Sequence, residues 1–503
     1  MSTINRREFV VTGVGAVALS AAIFKSVQGW LGEAGQYLGT NLARPLHAPL
    51  TPPSATDLDP VAHLLNRFTF GPGPGDHARV SAMGTEDFFN EQLEPDNIDD
   101  AVCDRAIARF SEAWWEPLGE AYEEDDEALT PLLRRVTLLR AIYSKRQLLE
   151  VMCEFWSDHF NVDPGKGDCR FAKIDDDRNV IRALALGNFR NMLRASALSP
   201  AMLWYLDGRA NTRLTPEEKP NENYARELME LHTLGVHGGY TQIDVMEVAR
   251  CLTGWTVLAK KDDGFSGNLL SPTKDRAKVV FRQEAHDDGP KRVLGQDIPA
   301  GLGEEDLDRV IDIVATHPST ARFLAGKLCA RFIADEPPAV AVAAVEQGFT
   351  KSRGDLKTTL RALIATPEFQ QSAGAKFKRP IHFIVSALRA TNAQTDAGRG
   401  ILSYLERMGQ VPFGYPTPDG YPVAAEAWHT TLLWRWKFAL ALSNNKIAGT
   451  SIQRDKLTNA LGGDDALMAS VLNRQGSETE SDAALQSGDR LALLLASPAF
   501  QHC

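Results

Sequence analysis

The sequence lacks the short motifs that would assign a defined chemistry. It contains no glycine-rich phosphate loop, no GxSxG elbow, no HExxH pair and no EF-hand loop. It also lacks internal repeats and strand–helix–strand alternation, which argues against a solenoid and against a doubly wound α/β fold. Function must therefore be sought from individual residues and their spacing.

Cysteine is scarce, and none of the six cysteines forms a CxxC or CxxCH pair. This disfavours a zinc ribbon and a c-type haem attachment site. Cys153, Cys251 and Cys329 fall within amphipathic helical patterns, where cysteine packs as a small hydrophobic residue. We expect no disulfide framework, because a chain of this size can build a core without one.

Positive charge is also in deficit. The chain has 54 Lys and Arg against 65 Asp and Glu, for a net charge of −11. A general nucleic-acid binder would show a basic stripe, so we expect no nucleic-acid partner. After the first 25 or so residues no apolar run is long enough to span a bilayer, so we expect no transmembrane span beyond that segment.

The beginning of the chain indicates export. Arg6-Arg7 precedes an uncharged run from Val10 to Phe24, a pattern typical of a twin-arginine signal. We assign residues 1–29 to this signal, 30–56 to a tether rich in Pro, Gly and Ala, and 57–503 to a single helical domain. The expected location is periplasmic or extracellular. The route carries proteins that are already folded, often around a cofactor, which slightly favours a bound metal.

The pattern of apolar residues predicts a mainly α fold, a large multi-helix domain with a small antiparallel β insertion around residues 255–298. Asp59-Pro60 predicts the cap and first turn of a helix that continues to Phe68. One long helix is expected over 131–160, and another begins at Thr241. In the insertion, short β-branched runs alternate with Gly, Pro and Asp, which favours a hairpin or a three-stranded meander.

The most informative segment is NENYARELMELHTLGVHGG, residues 221–239. Helical spacing puts Glu222, Arg226 and Glu230 in one column with Glu227 beside it, whereas His232 falls on the apolar side. One interpretation is an exposed ladder of ion pairs. The other is a buried arc whose surplus carboxylates require a cation, a proton or a cationic ligand.

Two further segments offer candidate metal ligands. His159 ends the long predicted helix, and His286-Asp287 lies in a glycine turn after a predicted strand. Imidazole together with carboxylate suits zinc, manganese or iron. The alternatives are a helix-terminal histidine packed on aromatic rings and an ordinary Asx turn.

Several motifs together carry a family resemblance. They are HLLNRFTFGPGPGD, FWSDHFNV, the segment from NENYARELM to LTGW, HDDGPKRVLG and GQVPFGYPTPDGYP. In this order they resemble the exported bacterial family catalogued as domain of unknown function 1800. The resemblance covers nearly all of the chain after residue 57. It implies an exported protein, often encoded beside a sulfatase-like protein, and supplies no catalytic residue.

These observations favour a metal-assisted hydrolase acting on an envelope or extracellular polymer. His159, Glu222, His286 and Asp287 would be candidate ligands of a divalent cation of unspecified identity. Beside them, Glu227 and Glu230 would act as ligand or general base, and Arg226 would orient an anionic group. The alternative is a non-catalytic envelope binding or assembly protein that partners the sulfatase-like protein. A redox protein is a third hypothesis, prompted only by the export route.

Overall fold

The structure is a computed structural model that describes residues 48–109, 118–122, 126–258 and 277–503. The predicted signal at 1–29 lies outside these residues, as does the tether up to residue 47. The division into signal, tether and one domain therefore stays a prediction. No helix in the described ranges is both long and apolar enough to cross a bilayer.

Helices dominate the described chain, as predicted. Those of its first half are α1 Pro60–Phe68, α2 Asp76–Met83, α3 Thr85–Leu93, α4 Ala101–Ala108, α5 Leu118–Ala121, α6 Asp126–Tyr143, α7 Gln147–His159, α8 Cys169–Asp175, α9 Phe189–Ala197, α10 Pro200–Tyr205, α11 Asn223–Glu230 and α12 Gln242–Cys251. Between α8 and α9 the backbone forms a π-helix, Asp176–Arg182.

The second half continues the pattern. Its helices are α13 Glu305–Ala315, α14 Pro318–Phe332, α15 Ala339–Lys351, α16 Leu356–Ile364, α17 Pro367–Gln370, α18 Pro380–Ala390, α19 Arg399–Arg407, α20 Leu432–Ser443, α21 Arg454–Leu461, α22 Asp464–Leu472, α23 Glu478–Gln486, α24 Arg490–Ala496 and α25 Pro498–Gln501. Short 3₁₀ turns connect several of them, at Pro95–Asn97, Gly208–Ala210, Gln283–Ala285 and Ala425–Thr431.

The predicted β insertion is confirmed as two separate antiparallel hairpins. Strand β1, Trp255–Val257, pairs with β2, Val279–Phe281, so that Trp255 lies opposite Phe281. Strands β3, Lys291–Val293, and β4, Gln296–Ile298, form the second pair. The residues 259–276 that join β1 to β2 lie outside the described chain. A further pair, β5 Gln394–Thr395 with β6 Thr450–Ser451, was not predicted.

The prediction of one long helix over 131–160 is wrong, because the chain forms two helices there, α6 and α7. At the break, Ser144 donates its hydroxyl to the Asp100 carboxylate at 2.5 Å, and the Lys145 backbone N–H donates to the same group at 2.9 Å. The Arg146 N–H donates to the Ser144 hydroxyl at 3.0 Å. Side-chain acceptors thus satisfy backbone groups that a continuous helix would otherwise have bonded.

One large hydrophobic cluster extends through the described chain from Leu64 to Phe500. It includes Trp156 on α7, Leu228 on α11 and Phe332 on α14, so these three helices share a core. Burial of apolar surface, worth about 25 cal/mol per Å², is what holds them in place. All six cysteines lie buried in the described residues as free thiols. The shared core brings the end of α7 beside α11 and α14.

Candidate functional site

His159, the last residue of α7, lies at the junction of three helices and is 1% exposed. Its Nε2 is 3.0 Å from the backbone oxygen of His232, just after α11. Its Nδ1 is 3.0 Å from Nζ of Lys327 on α14. A carbonyl oxygen can only accept, so the bonding pattern assigns the proton to Nε2 and leaves Nδ1 to accept from Lys327.

Both partners in this pair have shifted pKa values. Burial, reinforced by the nearby Lys327 charge, lowers the pKa of His159 well below its ordinary value. Lys327 is half-buried, and burial lowers its pKa to about 8. Asp158 and Asp419 oppose that shift. His159 is therefore a neutral acceptor, and Lys327 titrates near neutrality.

Glu222, Arg226, Glu227 and Glu230, on or just before α11, form its polar arc. Part of this arc fits the exposed-ladder interpretation and part fits the buried one. Arg226 and Glu222 form an i,i+4 pair at 3.0 Å in which both side chains are partly exposed. This part is the predicted surface ladder, and Gln242 on α12 completes it. Glu230 instead accepts from the Tyr240 hydroxyl at 3.4 Å. A surface pair of this kind contributes only a few tenths of a kcal/mol.

Glu227 is the residue of the polar arc that is best suited to proton transfer. It is half-buried, and no hydrogen bond to its side chain occurs within the described part of the chain. Burial raises its pKa, Glu230 adds to the rise, Arg226 opposes it and Asp419 reinforces it. An unpaired carboxylate that holds its proton more tightly than usual is suited to proton transfer.

Asp419 connects Glu227 with Lys327, since its charge acts on both groups. It lies on a loop held over the end of α7, where the Asn161 side chain donates to the backbone oxygens of Tyr415 and Thr417 at 2.9 and 2.7 Å. Gly420, at φ +73°, lies so close to the Asp158 carbonyl that a Cβ would collide with it. The loop therefore has little freedom to move Asp419 away from the cluster.

A second group of carboxylates, Glu154 and Asp158, lies on α7, the helix that ends at His159. Arg379 binds Glu154 and Asp158, both at 2.7 Å, and Arg331 also contacts Glu154 at 3.1 Å. Burial raises the pKa of Asp158 although Arg379 opposes the shift. Glu154 and Asp158 line a cavity of about 40 Å³ beside Tyr421.

His286 and Asp287 belong to a different network. The ring of His286 contacts the Thr253 oxygens through Nδ1 and Asp306 through Nε2, at 3.1 Å for Asp306. Asp306 also forms a buried ion pair with Lys291. Both ring nitrogens are thus occupied by protein groups, and this site acts as a polar support for the second hairpin.

Asp287 lies between two guanidinium groups, those of Arg213 and Arg250. Burial would raise the pKa of this carboxyl, but hydrogen bonds from Arg250 and from the Gly289 backbone outweigh it and hold the pKa far below its usual range. Such a carboxylate stays ionised and paired at any physiological pH.

The structure thus brings His159 to the end of α11, at the His232 backbone, but gives His286 and Asp287 their own partners. Among the described residues no group of three or more His, Cys, Asp or Glu is arranged to hold a metal ion. His159, Glu222, His286 and Asp287 therefore do not form one ligand cluster there, and metal binding stays a prediction.

Sequence reasoning missed Lys327 and Asp419. A signal for Lys327 was present, because it is the single charged residue in the apolar stretch FLAGKLCA of an amphipathic helix. A charge within a buried run needs a partner or a function. Asp419 stands in a loop rich in Gly and Pro and gave no comparable signal.

Comparison with known proteins gives one family match. A family model described as "Protein of unknown function (DUF1800)" matches residues 63–502. Neither the curated proteins nor the solved structures include a significant match to the chain.

Proposed function

Since the chain belongs to the DUF1800 family, whose description names no activity, we propose its function from the site alone. We propose an exported enzyme that performs acid–base chemistry at Lys327 and Glu227, most simply a hydrolase of an envelope or extracellular polymer. The observation that carries the proposal is the 3.0 Å hydrogen bond from Lys327 to the neutral His159. It holds in place a lysine that titrates near neutrality, and Asp419 acts electrostatically on both this lysine and the unpaired, half-buried Glu227.

The two groups suit opposite roles. With a pKa of about 8, Lys327 is mostly an ammonium at pH 7 and can protonate a leaving group. Burial and the charge of Glu230 raise the pKa of Glu227, which makes its carboxylate a better acceptor of a proton from water. Pairs of groups whose environments push their pKa values toward the working pH are the usual acid and base of hydrolases. His159 is then a positioning residue.

The remaining arc residues support these two. Glu230 raises the pKa of Glu227 through its charge, and Arg226, with its exposed planar fork, would orient an anionic group of the substrate. We also propose that a divalent cation assists by balancing charge, since Glu227, Glu230 and Asp419 supply more negative charge than Arg226 and Lys327 neutralise, although these three carboxylates are not arranged as a ligand cluster in the described part of the chain. Metal content of purified protein, compared with that of Glu227→Gln, tests this part separately.

Location and partner are part of the proposal. Arg6-Arg7 and the uncharged run after it support export by the twin-arginine route to the periplasm or beyond. A fusion to a reporter that fluoresces after twin-arginine export tests the route, with Arg6-Arg7→Lys-Lys as its control. Fluorescence retained in the cytoplasm by the unaltered signal would contradict it.

Activity is tested on isolated envelope polymers, peptidoglycan and exopolysaccharide, by the release of soluble reducing ends. We expect Lys327→Met and Glu227→Gln each to lower the rate by at least about 100-fold, which is the ordinary contribution of a positioned acid or base. The exposed Lys351→Met and Glu336→Gln variants serve as matched controls and should keep the rate of the unaltered protein. Equal rates in all four variants would contradict the proposal.

One observation favours the non-catalytic alternative. Ile243 and Met246 on α12 are 70% and 42% exposed and lie one turn apart, next to Gln242 of the surface ladder. Exposed apolar side chains of this kind occur at partner surfaces. If the protein binds the sulfatase-like protein through them, Ile243→Asp should abolish a complex seen by size-exclusion chromatography, whereas Val340→Asp on α15 should not.

A further inference from the structure

The cavity behind the candidate site is small and partly polar. Its volume is about 40 Å³, and it lies between α6, α7, the start of α18 and the loop around Gln410. About 10–15 Å³ of such volume accommodates one water, so the cavity has room for about three waters. Its walls are largely apolar, with Phe70, Leu138, Ile381 and Phe413 among the lining residues.

Three residues that line this cavity have polar atoms without a hydrogen bond in the described chain. They are Gln410 Nε2, Thr137 Oγ1 and Glu154 Oε1. Gln410 is fully buried, and its Oε1 accepts from the Ile381 backbone N–H at 3.0 Å. That bond fixes the orientation of the amide, so Nε2 is the end left to donate. A buried donor without an acceptor is energetically costly, so it calls for a ligand or water.

The carboxylates around the cavity do not require a cationic ligand. Arg182 pairs with Glu150 and Asp177 at 2.7 and 3.0 Å, and Arg379 pairs with Glu154 and Asp158. Each of these four carboxylates therefore already has a guanidinium partner. Although Glu154 Oε1 lies 2.7 Å from Arg379, it accepts no well-directed hydrogen bond and keeps a free lone pair.

Asp158 lines the cavity while its side chain is 21% exposed, so this residue lies between the cavity and the protein surface. The charge of Asp158 also acts on Lys327 and raises the pKa of that lysine. A group that enters the cavity past Asp158 would therefore place the rest of its molecule near the proposed proton donor.

We propose that this cavity receives the acetamido group of an N-acetylated sugar unit in the polymer substrate. The acetamido carbonyl accepts from Gln410 Nε2, its N–H donates to Glu154 Oε1, and its methyl group packs on the apolar wall. The donor, the acceptor, the apolar surface and the size of the group each match one observed property of the cavity. This inference rests on the proposed function for the polymer, and it adds the class of sugar.

Binding is tested by NMR titration of the full chain with an oligomer of N-acetylglucosamine and with its de-acetylated counterpart. We expect the acetylated oligomer alone to bind, at least tenfold more tightly. A third arm uses Nε-acetyl-lysine, which carries the same acetamide on a protein source. Equal affinity for the acetylated and de-acetylated oligomers, or binding of acetyl-lysine alone, would overturn the proposal. A crystal structure that shows only ordered waters in the cavity at saturating oligomer would also overturn it.

Gln410→Glu is the sharpest variant, because it keeps the shape and the acceptor for Ile381 but replaces the donor by an acceptor. We expect at least tenfold weaker binding of the acetylated oligomer, with no change for Gln370→Glu, an exposed control with the same charge change. Undiminished binding by a folded Gln410→Glu variant would contradict the assignment. Binding of the oligomer without its hydrolysis would contradict the proposed hydrolase but not the acetamido site. The failure of one proposal can therefore be distinguished from the failure of the other.

Discussion

Lys327 Nζ donates to His159 Nδ1 at 3.0 Å, across 168 positions of the sequence. The same imidazole donates its other N–H to the His232 backbone oxygen at 3.0 Å. The ring therefore connects α14 with the end of α11 in a single tautomer. An interaction of this kind both stabilises the junction and fixes where the lysine amine lies.

Removal of the His159 imidazole should destabilise the fold, because Lys327 then lacks a hydrogen-bond acceptor. In His159→Leu, Lys327 loses its acceptor inside the junction, and we expect a loss of about 1–3 kcal/mol in the free energy of unfolding measured by urea denaturation. His77→Leu is the control, because His77 meets Asp59 at 2.9 Å on the surface, where such pairs contribute at most about 1 kcal/mol. Equal losses in the two variants would show that the buried contact has no special importance.

The rate of polymer hydrolysis should fall as pH rises through about 8, since Lys327 loses its proton there and can no longer act as the acid. In Lys327→Arg the guanidinium stays charged at all of these pH values, and we expect a low rate with no alkaline limb. The measurement is a pH–rate profile from pH 6 to 10. An unaltered alkaline limb in Lys327→Arg would assign it to another group.

Acid should destabilise the protein through its buried histidines. Burial lowers the pKa of His232 to about 3 and that of His63 to about 4. The unfolded chain, with ordinary histidine pKa values near 6.5, binds these protons first, so stability is complete above about pH 6.5 and falls as pH decreases toward the folded values. Each histidine contributes up to about 1.4 kcal/mol per pH unit in that window.

His232→Leu isolates one of these contributions. Both ring nitrogens of His232 lack a hydrogen bond within the described chain, so replacing the ring by an apolar side chain of similar volume should cost little at pH 7. At pH 4 the variant should be more stable than the unaltered protein, as measured by urea denaturation at both pH values. A large loss at pH 7 would instead reveal a partner of the ring, such as a buried water.

Local signals predicted much of the fold correctly. Asp59 accepts from the Ala62 N–H and caps α1, and Thr241 with Asp244 forms a capping box at the start of α12. Gly235, shortly after α11, takes the left-handed conformation that glycine adopts most readily, at φ +79°. These features depend on groups within a few residues of one another, so the sequence displays them directly.

The failures have non-local causes. The helix over 131–160 breaks because Asp100, 44 positions before Ser144, takes its hydrogen bonds. His286 is not a free ligand because Asp306, 20 positions later, binds its ring. Helical spacing placed the residues of α11 on faces, but it could not show that Lys327 would bind His159 at the end of that helix or that Asp419 would act on Glu227. Tertiary packing alone decides such contacts.

The loop over α7 should depend on Gly420. An alanine there must take a positive φ and also push its Cβ against the Asp158 carbonyl. Gly409→Ala has nearly the same φ, +77°, but open space around the added methyl, so it isolates the conformational cost of about 1 kcal/mol. We expect Gly420→Ala to lose at least about 2 kcal/mol more in thermal unfolding and to lower the hydrolysis rate. Equal losses of stability in Gly420→Ala and Gly409→Ala would mean that the loop moves away from Asp158 at no energetic cost.

The buried guanidinium of Arg182 should matter far more than a similar one at the surface. Arg182 binds Glu150 with two hydrogen bonds, at 2.9 and 2.7 Å, and Asp177 with a third at 3.0 Å, where both carboxylates are nearly inaccessible. In Arg182→Met two buried charges lose their partner, which costs about 3–5 kcal/mol. Arg79 also binds Glu91 with two hydrogen bonds, both from Nη2 at 2.7 and 2.6 Å, but its side chain is 47% exposed. Water can replace it there, so Arg79→Met should cost about 1 kcal/mol or less in urea denaturation. If the two variants lose the same stability, the carboxylates beside the cavity are hydrated in the folded protein, and they would then be available to a ligand.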